Sequence, residues 1–160
     1  MNTILKCIDG INKFVKILLA ISLISMTIIM ILQVFSRFIL NLPLNWSEEA
    51  TRYLGIYAVF FGAALAVRYN ELISVEAVPD LLPEKGKKYL KIIVLLICIV
   101  FFAIVLVQGF SLVSNVSMQK SPALQISMSI PYFSIPFGAL LLIINAIAAI
   151  IVLVKGGDKE

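Results

Sequence analysis

Long apolar runs alternate with polar stretches along the chain, and this pattern predicts four helices that cross a membrane. A helix needs about 20 apolar residues to span the hydrocarbon layer, and each run approaches that length. The predicted spans are residues 17–39, 50–69, 90–113 and 134–154. The second run is short between Arg52 and Arg68, so we expect both arginines to extend toward opposite interfaces.

The polar stretches complete the predicted organisation. Residues 2–16 place isoleucines on one helical face, which predicts an amphipathic segment at the membrane surface. Residues 70–91 carry mixed charges and prolines, as is typical of a solvated, partly interfacial connection. Residues 114–134 are rich in serine, so we expect a long loop. Cys7 and Cys98 fall in different settings, and we expect buried thiols and no disulfide.

Composition places the chain among membrane proteins. It has 61% hydrophobic and 14% charged residues, and both fractions lie outside the range of soluble domains. The predicted fold is an all-α integral membrane protein, a single four-helix domain over residues 1–160 with short amphipathic or interfacial segments. The spans use most of the chain, which leaves no room for a soluble catalytic domain.

The distribution of lysine and arginine predicts the orientation, because basic residues are enriched on the cytoplasmic side of membrane proteins. If both termini are cytoplasmic, then of the 13 basic residues only Arg37, Arg52 and Lys120 face outward. We therefore predict cytoplasmic termini. The basic residues flank apolar runs and form no patch with interleaved aromatics, so we expect no nucleic-acid partner.

Charge is concentrated at the turn between the first two spans. Asn45 and Glu48 have the spacing of a capping box, which predicts a helix that begins at Trp46, and this tryptophan would anchor the helix at the interface. Arg52 is within helical reach of Glu48 and Glu49. We predict one charge cluster on the outer face, formed by Arg37, Glu48, Glu49 and Arg52.

Small side chains continue along one face of the second span. Gly55, Ala58, Gly62 and Ala66 recur every three or four residues. Such a stripe allows membrane helices to approach closely. We predict that this small-residue stripe packs against another membrane protein, unless it is a chance pattern in an alanine-rich helix.

Residues that could perform chemistry are scarce. The chain has no histidine, no glycine-rich phosphate loop and no nucleophile elbow. We therefore expect that the protein is not an enzyme and that it holds no metal or cofactor. No charged residue lies at mid-span, where a carrier acting alone binds substrate and coupling ion. For the polar residues within the spans, Gln33, Gln108 and Asn145, we expect hydrogen bonds between helices.

Several motifs occur in an informative order. They are Ser36-Arg37-Phe38, Trp46-Ser47-Glu48-Glu49 with Arg52, Phe61-Gly62-Ala63-Ala64 with Arg68, Ser121-Pro122-Ala123-Leu124, Pro131-Tyr132 and Ile135-Pro136-Phe137-Gly138. Together they resemble the small membrane subunit of tripartite ATP-independent periplasmic (TRAP) transporters, the DctQ-like family. Family members often have a histidine shortly after the second-span arginine, whereas this chain has Tyr69, Asn70 and Glu71, so the role of that histidine does not carry over.

The resemblance implies a bacterial inner-membrane subunit that acts as a scaffold for a larger membrane subunit, in which the sodium-coupled substrate site lies. It also implies a separate periplasmic binding protein that delivers an organic anion, with sialic acid and C4-dicarboxylates as the leading candidates. On the outer loop, Lys120 and Gln125 are candidate contacts with that binding protein.

Two other functions remain open from the sequence. Small four-helix exporters that work alone have a similar size, but they depend on an acidic residue in the first span, and residues 17–36 contain none. An assembly subunit of an unrelated membrane complex is compatible with the composition, and only the order of the motifs argues against it.

Overall fold

A computed structural model describes residues 2–42, 44–69 and 84–154, which form four long helices and one short helix. The helices are α1 (Asn2–Phe38), α2 (Asn45–Arg68), α3 (Glu84–Asn115), α4 (Ser129–Tyr132) and α5 (Ser134–Val154). By length and composition, α1, α2, α3 and the segment from α4 through α5 can each cross a membrane. The predicted all-α membrane fold with four spans is confirmed.

The long helices pack side by side in the order α1, α2, α5, α3. The two central helices, α2 and α5, bury many residues, whereas α1 and α3 expose most of theirs. The core lies mainly between α2 and α5, with single contributions from the outer helices. It includes Val15, Phe61, Ala64, Leu65, Leu95, Leu141, Leu142, Ala146 and Ala149.

Glycines on α5 and α3 allow the closest helix contacts. At Gly138 of α5, an added Cβ atom would lie 2.5 Å from the Cβ atom of Phe60 on α2. At Gly109 of α3, it would lie 3.0 Å from the Cδ atom of Pro136 on α5. Both glycines are buried. Their missing side chains therefore bring α5 close to both neighbours.

A buried polar network joins three helices inside this apolar core. The Asn12 Nδ2 atom donates to Asn145 Oδ1 at 2.7 Å, and the Asn145 Nδ2 atom donates to Asn12 Oδ1 at 2.9 Å. Asn145 Nδ2 also donates to the Ala64 carbonyl oxygen at 2.7 Å. A buried polar group left without a partner costs about 1–3 kcal/mol, so the network favours one alignment of α1, α2 and α5. The expectation of interhelical hydrogen bonding is confirmed for Asn145.

The amphipathic segment predicted at residues 2–16 is continuous with the first span. At 1.5 Å per residue, α1 is roughly 55 Å long, whereas the hydrocarbon layer is about 30 Å thick. Part of α1 therefore extends beyond the layer unless the helix tilts strongly. Within this segment Asn12 is buried against Asn145 of α5, whereas Ile11 is 44% exposed and free to contact lipid.

The start of α2 also differs from the prediction. The helix begins at Asn45, and the residue that precedes it, Leu44, makes no side-chain capping hydrogen bond. The capping box of Asn45 and Glu48 is therefore wrong. Instead, Ser47 Oγ donates to the Leu44 carbonyl oxygen at 2.6 Å within this first turn.

Two connections are shorter than predicted. α3 begins at Glu84, within the expected surface connection 70–91, because the lysines near its start do not interrupt a helix. The expected loop 114–134 begins after Asn115 and contains α4. Some predicted features lie outside the described residues: Pro43, residues 70–83, Lys155 and Lys159. The position near Glu71, where family members often have a histidine, is within residues 70–83.

Candidate functional site

The α1–α2 turn and the loop from α3 to α4 lie at the same end of the molecule, which we call the turn end. Ser36 closes the α1–α2 turn, since its Oγ donates to the Leu42 carbonyl oxygen at 2.6 Å and its own carbonyl oxygen accepts from Leu42 N at 3.1 Å. Asn41 has a left-handed backbone with φ 53°, which asparagine adopts more readily than most residues. This closure places the end of α1 beside the start of α2.

Glu49 in the early part of α2 binds the opposite loop. Its Oε2 atom accepts from Ser121 Oγ at 2.6 Å and from Leu124 N at 3.0 Å, and its Oε1 atom accepts from Ala123 N at 3.0 Å. Converging backbone N–H groups form an anion-binding concavity, and in this case the anion is the carboxylate of the protein itself. Glu49 thereby fixes residues 121–124 against α2.

The loop around this motif is a short hairpin, residues 117–128. Lys120 and Ser127 form an antiparallel bridge. Gln125 has φ 56°, and its Nε2 atom donates to the Pro122 carbonyl oxygen at 2.9 Å. The 117–128 hairpin is therefore a folded element held by its own hydrogen bonds as well as by Glu49.

Further hydrogen bonds attach the chain beyond the hairpin to the spanning helices. The Tyr57 hydroxyl of α2 donates to the Ile130 carbonyl oxygen at 2.7 Å. Ser129 Oγ donates to the Val113 carbonyl oxygen of α3 at 3.1 Å. The loop between α3 and α5 is thus fixed to α2 and α3, the two helices that flank α5.

The hairpin presents the residues predicted to contact a binding protein. Lys120 and Gln125 are exposed. Met118, which the sequence analysis did not single out, is 93% exposed. No sequence signal distinguished this methionine, because its exposure depends on how the hairpin folds.

The four predicted cluster charges are divided between two places. Arg37 and Glu48 line a polar concavity of about 230 Å³ with Gln33, Leu44 and Asn45. The Gln33 Nε2 atom donates to Glu48 Oε1 at 3.3 Å. Within the described part of the chain, Arg37 and Glu48 form no ion pair with each other.

Glu49 faces away from this concavity, toward the hairpin. Arg52 is exposed and does not line the concavity. Trp46 is 41% exposed at the start of α2, a position compatible with the predicted interface anchor. The predicted charge cluster is therefore split: Glu49 is held by hydrogen bonds to the distant hairpin, and among the described residues the four charges form no ion pair, although the Arg52 charge still acts on Glu49.

The small-residue stripe is half-buried along its length. At Gly55, an added Cβ atom would lie 3.6 Å from the Met26 Cε atom of α1, whereas at Gly62 it would meet no atom within 4 Å. Ala58 and Ala66 are intermediate in burial. The stripe therefore begins against α1 and opens at Gly62.

An ion pair that the sequence analysis missed joins α1 and α2 at the other end of the molecule. Arg68 Nη2 lies 2.6 Å from Asp9 Oδ1, and Arg68 Nε donates to the same oxygen at 3.0 Å. No local spacing rule connects residues this far apart in the chain.

The remaining predicted residues have different surroundings. Both cysteines are free; Cys7 is exposed and Cys98 is intermediate in burial, so neither is the fully buried thiol that was expected. Gln108 is exposed on α3. Among the described residues, no group of three His, Cys, Asp or Glu side chains could hold a metal ion.

These features define a small multi-pass helical membrane protein whose buried amides join its own helices and whose turn end carries a fixed hairpin. The family described as "Tripartite ATP-independent periplasmic transporters, DctQ component" matches residues 26–156. The chain belongs to this family, which consists of transporter subunits of the inner membrane. The resemblance predicted from the motifs is confirmed.

Individual relatives support the same assignment. The chain is 26% identical to the sialic acid TRAP transporter small permease protein SiaQ of Vibrio cholerae over 150 residues, 94% of this chain and 85% of that protein. It is 30% identical to the ectoine TRAP transporter small permease protein TeaB of Halomonas elongata over 133 residues, 82% of this chain and 69% of that protein. It is also 36% identical to the sialic acid TRAP transporter permease protein SiaT of Haemophilus influenzae over 77 residues, 46% of this chain but 12% of that protein.

Proposed function

We propose that this chain is the small scaffold subunit of a TRAP-type, sodium-coupled importer of organic anions, and that it holds the large transport subunit in the membrane. The observation that carries the proposal is the family match over residues 26–156, which includes parts or all of the four spanning helices. The buried Asn12 and Asn145 side chains also support a scaffold role. They bond each other and the Ala64 carbonyl oxygen, so these buried polar groups hold the helices of this chain together.

The match to SiaT supports a large membrane partner. The matched 77 residues make up only 12% of that protein, so a segment similar to this chain is part of a much longer permease polypeptide. Two parts that are fused in one protein often associate as separate subunits in a related system. We therefore propose that this chain associates with a separate large subunit that corresponds to the rest of SiaT. We propose that sodium and substrate bind in that partner.

The relatives also bear on the substrate. Two small permease proteins similar to this chain are named for different solutes, sialic acid and ectoine. This difference supports a scaffold that does not select the solute. We propose a small organic anion, such as sialic acid or a dicarboxylate, that a periplasmic binding protein delivers near the 117–128 hairpin with its exposed Lys120 and Gln125.

Association with the large subunit can be tested at the open part of the stripe. We expect Gly62→Leu to reduce the amount of large subunit that co-purifies with this chain by about tenfold, because the added side chain prevents close helix approach. Within this chain, a Cβ atom at Gly62 meets no neighbour within 4 Å, so the first atom of the added side chain fits without displacing its surroundings.

Ala103→Leu is the matched control, because it adds a leucine side chain at an exposed position of α3. Both variants are purified from native membranes with the same affinity tag. Equal recovery of the large subunit with Gly62→Leu and Ala103→Leu would show that the stripe is not the docking surface. Absence of any large membrane subunit with the unmodified chain would contradict the proposed function itself.

We further propose that both termini are cytoplasmic, on the basis of the lysine and arginine distribution. In a Cys98→Ser background, the exposed Cys7 should react with a membrane-impermeant thiol reagent only after the cells are permeabilised. With Cys7 also replaced by serine, Lys120→Cys should react in intact cells. The reverse pattern would contradict this orientation.

A further inference from the structure

We propose that the turn end of α1 is a binding site for one phospholipid with a zwitterionic, primary-amine headgroup, such as phosphatidylethanolamine. In this site the headgroup occupies the polar concavity between Arg37 and Glu48, and an acyl chain lies along the adjoining apolar groove of α1. The proposal concerns the surface of this chain and is independent of the proposed transport function.

The polar part of the site combines two opposite charges that are not in direct contact with each other. Arg37 and Glu48 line the same concavity of about 230 Å³, yet within the described part of the chain they form no ion pair. Both side chains are exposed. A ligand that carries a phosphate and an ammonium group can bind both, with the phosphate at Arg37 and the ammonium at Glu48.

The apolar part of the site follows the same turns of α1. An open groove of about 410 Å³ is lined by Met30, Ile31, Val34, Phe35, Phe38 and Ile39. Arg37 is three residues after Val34 and seven after Met30, so these side chains are neighbours on the helix surface. The polar concavity and the apolar groove therefore adjoin each other.

The length of the groove agrees with a lipid. From Met30 to Arg37, the part of the groove deeper than the headgroup, α1 rises about 10 Å at 1.5 Å per residue. One leaflet of the hydrocarbon layer is about 15 Å thick, half of the total. Since Arg37 is near the end of α1 and Met30 lies deeper, a headgroup at Arg37 places its acyl chain along the groove and within one leaflet.

The charges favour a zwitterionic lipid over an anionic one. An anionic headgroup would interact with Arg37 but be repelled by Glu48 in the same concavity. The primary ammonium of phosphatidylethanolamine can also donate hydrogen bonds to the Glu48 carboxylate. Glu48 therefore acts as the residue that selects the headgroup.

The test measures which lipid stays bound to the full-length chain. The protein is equilibrated in mixed micelles with equal amounts of phosphatidylethanolamine and phosphatidylglycerol of identical acyl chains, and bound lipids are counted by native mass spectrometry. We expect the unmodified chain to retain phosphatidylethanolamine preferentially. Arg37→Gln should reduce retention of both lipids by roughly tenfold, and Glu48→Gln should shift the preference toward phosphatidylglycerol.

Two control variants make the result specific. Arg52→Gln removes an exposed arginine that does not line the concavity and should leave retention unchanged. Val34→Trp should fill the groove and lower retention, whereas Ile24→Trp, on an exposed part of α1 outside the groove, should not. Preference of the unmodified chain for phosphatidylglycerol, an unchanged lipid ratio in Glu48→Gln, or equal retention by Arg37→Gln and Arg52→Gln would each overturn the proposal.

Discussion

Replacing Gly138 with alanine is expected to destabilise the protein by about 1–3 kcal/mol, the usual range for overpacking a close contact. The new Cβ atom would lie 2.5 Å from the Cβ atom of Phe60, so α5 and α2 must separate or Phe60 must move. Phe60 packs against the buried core, which limits how far it can shift. The free energy of unfolding in mixed micelles, titrated with denaturing detergent, measures the effect.

Gly62→Ala is the matched control for this prediction. It makes the same chemical change in a spanning helix but meets no neighbouring atom within 4 Å, and alanine has a higher helix propensity than glycine by about 1 kcal/mol. Gly62→Ala should therefore be as stable as the unmodified chain or more so. If the two variants unfold at the same detergent concentration, α5 and α2 do not make the close contact at Gly138.

Replacing Glu49 with glutamine is expected to release the 117–128 hairpin from α2. The carboxylate accepts three hydrogen bonds from the hairpin through two oxygens, whereas an amide has a single oxygen acceptor and directs an NH₂ group toward donors. Amide hydrogen exchange at Ala123 and Leu124 should become roughly tenfold faster. Exchange within the four long helices should change little.

Glu48→Gln provides the comparison, since it removes the same charge from the adjacent residue, which does not contact the hairpin. It should leave exchange at Ala123 and Leu124 unchanged. If Glu49→Gln and Glu48→Gln give the same exchange pattern, the effect comes from net charge near the turn, and Glu49 does not hold the hairpin.

The four spans could be predicted because each apolar run is long and bounded by polar residues. The exact ends of the helices could not, since the lysines near the start of α3 and the polar face of α1 are compatible with both helix and surface connection. A helix continues or ends at such positions according to contacts with other helices. The Asn12–Asn145 pair is one such contact, and it lies in the part of α1 that the sequence assigned to the membrane surface.

The packing faces were harder to predict than the spans. In a soluble helix, apolar residues mark the buried face, but lipid-facing and core-facing surfaces of a membrane helix are both apolar. The sequence therefore identified the small-residue stripe on α2 but not that Gly138 of α5 and Gly109 of α3 lie in close contact with neighbouring helices. These depend on how each helix is rotated toward its neighbours.

Glu49 shows the same limit for polar residues. Sequence spacing places Arg52 three residues away, on the same helical face, and this neighbour suggested an ion pair. The hydrogen-bonding partners of Glu49 are instead Ser121, Ala123 and Leu124. The sequence did single out both motifs, but only the fold shows that they contact each other.

We propose, as the central claim, that this chain supports a transporter and does not carry solute by itself. The most direct measurement is sodium-driven uptake of the transported organic anion, with the binding protein present, into vesicles that contain this chain alone, the large subunit alone, or both. We predict uptake only when both are present. Uptake by vesicles that contain this chain alone would contradict the claim, and so would full uptake by the large subunit without it.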